Sequence, residues 1–272
     1  MAENSDKTIT VVTTIHNGQR HWPGFFANLD AILGPNDSAI IVDDGSIPAV
    51  CLPQSLCGDP RFRLLSAGKI GRGAALNLAI SQAETRFIAI QDVDDRSNPA
   101  RLPVMKQLIA RYANHLIFCE ATCSDECDVV TTTPLTPVSA AATALAPATS
   151  MPRPVAATRL YRGNPLHHSG LVFPTALWRA AGGYDPSLPC CLDLDFYLRC
   201  LATSQNPLML LSSALIWRNT GADRQYTRLA ASLYHETVLT IRAKYRRQFN
   251  PPPGTYLCDL HHYARLLLNR IK

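Results

Sequence analysis

Three aspartates fall within four residues at Asp92, Asp94 and Asp95, directly after the apolar run Phe87-Ile88-Ala89-Ile90 and Gln91. Carboxylates this close repel one another, and each would take a counter-cation. A hard divalent ion such as Mn2+ or Mg2+ meets that need, because it binds carboxylate oxygen together with the oxygens of a diphosphate. An acidic turn that only caps the next helix has the same letters, so the triplet needs support from elsewhere in the chain. Two more polar clusters end apolar runs in the same way: Thr14 to Asn17 after Thr8 to Thr14, and Asp43-Asp44 after Ala39-Ile40-Ile41-Val42.

The elements that must position these groups alternate strand and helix. Thr8 to Thr14, Ala39 to Val42, Arg61 to Leu65 and Phe87 to Ile90 read as strands. Helices are expected over Trp22 to Leu33, after Gly71-Arg72-Gly73, and from Pro99 to Tyr112. Uninterrupted apolar strands in a βαβ order imply an α/β fold, a mostly parallel sheet covered on both faces. In such sheets ligands bind beyond the carboxyl ends of the strands, where the three polar clusters fall. Further along, the pattern predicts a strand at Gly170 to Phe173, helices over Pro174 to Ala181 and Asp193 to Thr203, and strands at Leu208 to Leu211 and Ala214 to Arg218. Tyr226 to Phe249 and a last stretch to Lys272 read as helices, whereas the Thr/Ala/Pro-rich segment from Thr131 to Ala157 reads as a loop.

Composition narrows the class. The chain has 272 residues, 47% of them apolar and 17% charged, enough to bury a sizeable core. A net charge of +5 suits an anionic ligand or an anionic lipid surface and is too small to argue for nucleic acid. The first residues lack the basic start and apolar run of a secretion signal, so a cytoplasmic protein is expected. Nine scattered cysteines without paired C-x2-C motifs read as free thiols of a reducing compartment. Gly71-Arg72-Gly73 lacks the third glycine and the position of a dinucleotide fingerprint.

Seven segments in order resemble glycosyltransferase family 2, the inverting, nucleotide-sugar-dependent enzymes of the GT-A fold. Gln91 to Asp95 resembles the family's L-D-A-D-D, and Ile41 to Ser46 its V-D-D-G-S. Thr10 to Asn17 resembles the first strand and its P-T-Y-N turn, with Thr14 in place of the proline and His16 in place of the aromatic. Gly71 to Asn77 resembles the helix entry G-x-x-x-A-x-N. Asn164 to Phe173 and Ala181 to Asp185 resemble H-S-x-x-F and G-G-Y-D, and Leu192 to Arg199 resembles E-D-Y-D-L-W-L-R. The resemblance spans roughly residues 8 to 220 and implies a GT-A Rossmann-like domain over 1–225. Within it, about 8–118 would bind the nucleotide sugar and about 119–225 would face the acceptor, with a helical extension over 226–272.

The resemblance also implies roles. Thr14, His16, Asn17, Asp43 and Asp44 would hold the base and ribose of the donor, a UDP-sugar by preference, since a carboxylate can accept the N3–H of uracil. Asp43-Asp44 also reads as an Asx turn closed by Gly45. Arg72, at a helix start that already favours anions, would touch the diphosphate. Asp92 and Asp94 would contact ribose and metal, and Asp94 and Asp95 would hold Mn2+ or Mg2+. Asp193 stands where the family's catalytic base stands, and it also reads as a helix cap; Asp195 is the second choice for the same role. His168 and Arg218 would reach the acceptor or the diphosphate. The family's glutamate before Asp193 is Leu192 here.

The expected activity is transfer of a hexosyl or N-acetylhexosaminyl group to a hydroxyl of a glycan or a lipid-linked acceptor. Two alternatives stay open: a non-catalytic relative that binds a nucleotide sugar, and a nucleotidyltransferase. The last 32 residues hold seven Lys or Arg against one Asp, and Tyr263 to Lys272 can form a basic amphipathic helix. It reads as a packed terminal helix or as a peripheral contact with the inner face of the cell membrane.

Overall fold

The computed structural model describes residues 8–124, 151–221 and 231–271. Strand β1 (Ile9–Ile15) is β-branched throughout and almost wholly buried, as suits a central strand covered on both faces. Helix α1 (Trp22–Ile32) follows, with Pro23 in its first turn, where the missing N–H costs nothing. Strand β2 (Ser38–Asp44) runs parallel to β1 with Ile15 opposite Asp43, and β3 (Phe62–Ala67) runs parallel to β2. Helix α2 (Arg72–Ser81) leads to β4 (Phe87–Ile90), which pairs parallel with the other side of β1. These register positions bring the ends of β1, β2 and β4 to one rim.

The second half is built differently. A short β5 (Arg96–Ser97) and helix α3 (Arg101–Ile109) precede β6 (Ile117–Ser124). Strand β7 (Arg153–Val155), helix α4 (Ala157–Leu160), β8 (Leu171–Pro174), helix α5 (Thr175–Ala180), helix α6 (Leu192–Ser204) and β9 (Leu208–Asn219) complete the sheet region, and helices α7 (Ala231–Phe249) and α8 (Thr255–Ile271) follow. The sheet order is β3-β2-β1-β4-β8-β6-β9-β5, with β7 also on β9. Strand β8 enters antiparallel between β4 and β6, so the parallel first half is joined to a mixed half. This is the Rossmann-like α/β architecture of the GT-A type.

Alternate residues of each strand feed two cores. Val12, Ile40, Ile88 and Ile90 pack with α2, α6 and α7 on one face, while Val11, Ile41 and Ala89 pack with α1 and α3 on the other. Helix α6 supplies Phe196 and Tyr197 to the first core, where Phe196 stacks against Tyr184 at 4.4 Å.

Several boundaries differ from the sequence reading. The two short strands expected around 208–218 are one strand, β9, carrying a bulge where it pairs with β6 between Cys119 and Ala121. Strands β5, β6 and β7 escaped it: Glu120 interrupts the apolar run of β6, and β7 contains a proline and pairs only with Leu208 to Leu210 at an edge. β7 lies inside the stretch read as a loop, whose residues 131–150 fall outside the described residues, as do 226–230 of the helix expected from Tyr226. The eight described cysteines are free thiols, and Cys127 is outside the described residues. Among the described residues no helix is long and apolar enough to cross a membrane.

Candidate active site

The end of β4 is held from beneath by a buried arginine. Arg101 on α3 has no exposed surface; its Nη1 donates to Gln91 Oε1 at 3.1 Å and to Ser97 Oγ at 2.9 Å, and its Nη2 donates to the Ile90 carbonyl at 2.8 Å. Thr13 Oγ1 donates to the Gln91 carbonyl at 2.7 Å, which ties the turn to β1. The acidic turn therefore rests on a buried hydrogen-bonded network rather than hanging in solvent.

Above it the three aspartates differ. Asp95 is 8% exposed; its Oδ2 accepts from Ser169 Oγ at 2.5 Å and its Oδ1 accepts from the Asn219 N–H at 3.0 Å. Burial, then the neighbouring charges of Asp92 and Asp94, push its carboxyl up to about 7 against the pull of Ser169 and Asn219. Asp92 keeps part of its side chain open and receives Arg72 Nη2 at 2.5 Å. Burial works to raise its pKa, but Arg72, His168 and Arg218 outweigh it and hold the group below the ordinary value. Asp94 is half-buried between them.

Ser169 joins the two ends of this cluster, since its oxygen also accepts the Asp92 N–H at 3.1 Å. Its neighbour His168 receives Arg72 Nη2 on Nδ1 at 3.1 Å. Arg72 can only donate, so the proton of the neutral ring sits on Nε2 and points at Tyr184 Oη, 2.9 Å away. Burial, then the positive charge of Arg72, drives this imidazole down to about 4 despite the opposing charge of Asp92. It is neutral at pH 7.

At the end of β2, both oxygens of Asp44 accept the Gly71 N–H at 3.1 Å, which fixes the entry of α2 against the rim. Gly45 has φ 74°, and a Cβ there would meet the Lys69 backbone at 2.9 Å, so no other residue fits this turn. Asp43 is turned into its own loop: Oδ1 accepts the Ser46 N–H at 2.9 Å and Oδ2 the Val50 N–H at 3.0 Å. His16 Nδ1 bonds the Asp44 carbonyl at 2.8 Å, and Asn17 accepts the Ile47 N–H at 2.9 Å. Thr14 is half-buried at the same strand end.

Helix α6 presents its two aspartates to opposite sides, as residues two apart on a helix must. Asp193 Oδ2 accepts Asn164 Nδ2 at 2.9 Å, and its charge reaches the imidazoles of His167 and His168. Asp195 is 1% exposed and faces inward, where Arg199 Nε at 2.7 Å and Tyr245 Oη at 3.1 Å occupy it. Leu192 is buried and packs on Gly73, the second residue of α2; a Cβ on Gly73 would lie 3.3 Å from Leu192 Cδ2 and 3.0 Å from the Asp185 carbonyl. Arg218 lies near the end of β9, close enough for its charge to act on Asp92 and His167.

Arg72, Asp92, Asp95 and His168 are thus brought into one cluster, with Asp44 next to it through Gly71 and Asp193 within electrostatic reach. Asp43 and Asp195 are committed to internal bonds. Sequence reasoning missed Ser169, Tyr184, Asn164 and Arg101. The first three stood inside segments already noted; Arg101 carried no signal beyond an arginine among Leu102, Val104 and Met105.

The residues fit a divalent ion in one respect. Asp95 is destabilised as an anion by Asp92 and Asp94, and a cation beside Asp94 and Asp95 would relieve that repulsion. Among the described residues no group of three or more His, Cys, Asp or Glu is arranged to enclose a metal alone. Mg2+ and Mn2+ are usually held by one or two carboxylates plus substrate phosphates, so two carboxylates suffice once a diphosphate is present.

A strand-end acidic cluster, an arginine at a helix start and a carboxylate across the rim of an α/β sheet have the chemistry to meet an anionic ligand. The sequence matches the model of glycosyl transferase family 2 over residues 10–168, and the chain belongs to that family, whose members transfer sugars from nucleotide-sugar donors. Solved structures agree on the fold. The S. aureus TarS fragment 1–349 with UDP-GlcNAc superposes with a TM-score of 0.64 at 16% identity, over 88% of this chain and 66% of that one. The mannosyltransferase PcManGT from Pyrobaculum calidifontis, with GDP-Man and Mn2+, gives 0.58 at 15% identity, over 95% of this chain and 69% of that one. The chain spans 65% of the TarS fragment solved without nucleotide. No curated protein matches it in sequence.

Proposed function

We propose that this chain is a metal-dependent, inverting glycosyltransferase that takes its sugar from a UDP-sugar and places it on a hydroxyl of a glycan or a lipid-linked glycan. One observation carries the reading: Arg72, Asp92, Asp95 and His168 share a single bonded cluster at the strand ends, with Asp193 facing them from α6. In the donor complex Asp44 and the turn at His16-Asn17 border the base, and Arg72 with the first N–H groups of α2 meets the diphosphate. Asp94 and Asp95 would hold Mn2+ or Mg2+, which when bound neutralises charge building on the departing diphosphate. Asp193 accepts the acceptor hydroxyl's proton as that oxygen bonds to the anomeric carbon from the side opposite the leaving group. The carbon–oxygen bond to the diphosphate breaks, and its electron pair leaves with the nucleotide. Asn164 orients Asp193 for this task by donating to one of its two oxygens.

Leu192, in place of the family's glutamate, is the one feature that favours the non-catalytic alternative. Its burial against Gly73 gives that leucine a packing role which needs no loss of activity. The test is a donor screen with Mn2+ and with a chelator, reading nucleotide release and the anomeric configuration of any product by NMR. Release from a UDP-sugar that stops with the chelator, with an inverted anomer, is expected. Nucleotide-sugar binding without release on any acceptor would favour the binding protein instead.

A further inference from the structure

Six of the large apolar residues left exposed lie on one helix, α8: Tyr256, Leu257, Leu260, Tyr263, Leu267 and Leu268. The last five are 56–71% exposed. The inward face of α8 is already served, because Thr255, Asp259 and His262 are buried against the rest of the molecule. Leu257, Leu260, Ala264, Leu267 and Leu268 recur at steps of three, four, three and one, so at 100° per residue they share an arc of about 100° on the opposite side. Among the described residues this outward arc has no partner.

Charge decides what fits it. The one carboxylate of the helix, Asp259, points inward and is paired with Arg242 at 3.1 Å and with Arg246. Exposed Arg265 and His261 flank the apolar arc, and Arg270 and Lys272 follow in the sequence. A second copy laid against the arc would bring these basic residues together with no exposed carboxylate on the helix to answer them, over barely two heptads of apolar seam. An anionic lipid surface takes both features, accepting the leucines below its headgroups and the cations at them.

We propose that the outward face of α8 is a docking surface for an anionic lipid bilayer. The inference stands apart from the transferase site and uses none of its residues. The experiment sediments the chain with vesicles of phosphatidylglycerol and phosphatidylcholine, and with phosphatidylcholine alone, at low and raised salt. Binding to the anionic vesicles that weakens with salt is expected. Leu260→Gln with Leu267→Gln should abolish it, and Arg265→Glu should weaken it about tenfold. Both leucines are exposed, so the circular dichroism spectrum should be unchanged and serves as the control for folding. Three results would overturn the proposal: no sedimentation with either vesicle, equal binding to neutral vesicles, or a concentration-dependent dimer that the leucine substitutions disperse.

Discussion

An aspartate acts as a base only when something fixes which of its oxygens faces the proton. In the proposed reaction Asn164 does this for Asp193 by occupying Oδ2 and leaving Oδ1 for the acceptor. Replacing Asp193 with Asn keeps the shape and removes the basicity, so kcat should fall by roughly a hundred- to ten-thousandfold. The thermal shift produced by nucleotide should stay at its wild-type size, because that helix end does not hold the donor. Asp195→Asn should behave differently and lower stability, since it weakens bonds to Arg199, Lys244 and Tyr245. The contrast between two aspartates of one motif also marks how far the site was legible. Spacing along a helix predicts that two residues apart face different ways, but it does not say which faces the rim. The triplet at Asp92 to Asp95 was legible because repulsion among carboxylates is a local property. Ser169 was not, because its role depends on bringing residues 92, 95 and 169 together through the antiparallel β4–β8 pairing.

At the scale of elements, α2, α6 and the α7–α8 pair carry the predictions. Leu192 closes the gap between the first turns of α6 and α2, and restoring the family glutamate would push a carboxylate into that contact. Leu192→Glu should lower stability by at least ~2 kcal/mol, read from the urea midpoint, without raising turnover. Where α7 meets α8, His235 Nδ1 lies 2.7 Å from His262 Nδ1, so one ring donates and the other accepts. Burial first, then the charges of Arg242, His235 and His261, push His262 down to about 4, with Asp259 opposing. The folded pKa is depressed below the ordinary 6.5, so this contact stabilises the fold above that value and fades as pH falls towards 4. Asp95, with its raised pKa, changes stability in the opposite sense, so the comparison must be with a His262→Gln variant. The difference in unfolding midpoint between the two should shrink from pH 7 to pH 4; a constant difference would contradict the assignment. The strands and helices around α1 to α3 were readable because each is an uninterrupted apolar run or a clear helical period. β5 to β7 were not: β5 and β7 are very short, Glu120 interrupts β6 and Pro154 interrupts β7, and all three are fixed by pairing with the distant β9.

For the whole molecule, the placement of the site across two halves of one sheet sets what ligands do to stability. The proposed donor side belongs to the parallel strands β1, β2 and β4, whereas Ser169, His168 and Asn219 come from segments on the mixed half, so the cluster at Asp95 ties the two halves together. Without a cation that tie includes a carboxyl held near pH 7 as an unfavourable anion. UDP with Mn2+ should therefore stabilise more than UDP with a chelator. A ligand at a hundred times its Kd adds about 2.7 kcal/mol to a native state that alone binds it. For a chain somewhat longer than 250 residues, each kcal/mol is worth roughly 2–3 °C in Tm, giving a shift of about 5–8 °C. Asp95→Asn removes the repulsion and the ligand together: its metal-free Tm should equal or exceed that of the wild type, and the Mn2+-dependent part of the UDP shift should disappear. If the shift in the wild type is the same with the chelator, the acidic cluster holds no ion in the donor complex, and the strand-end carboxylates must serve ribose and Arg72 alone.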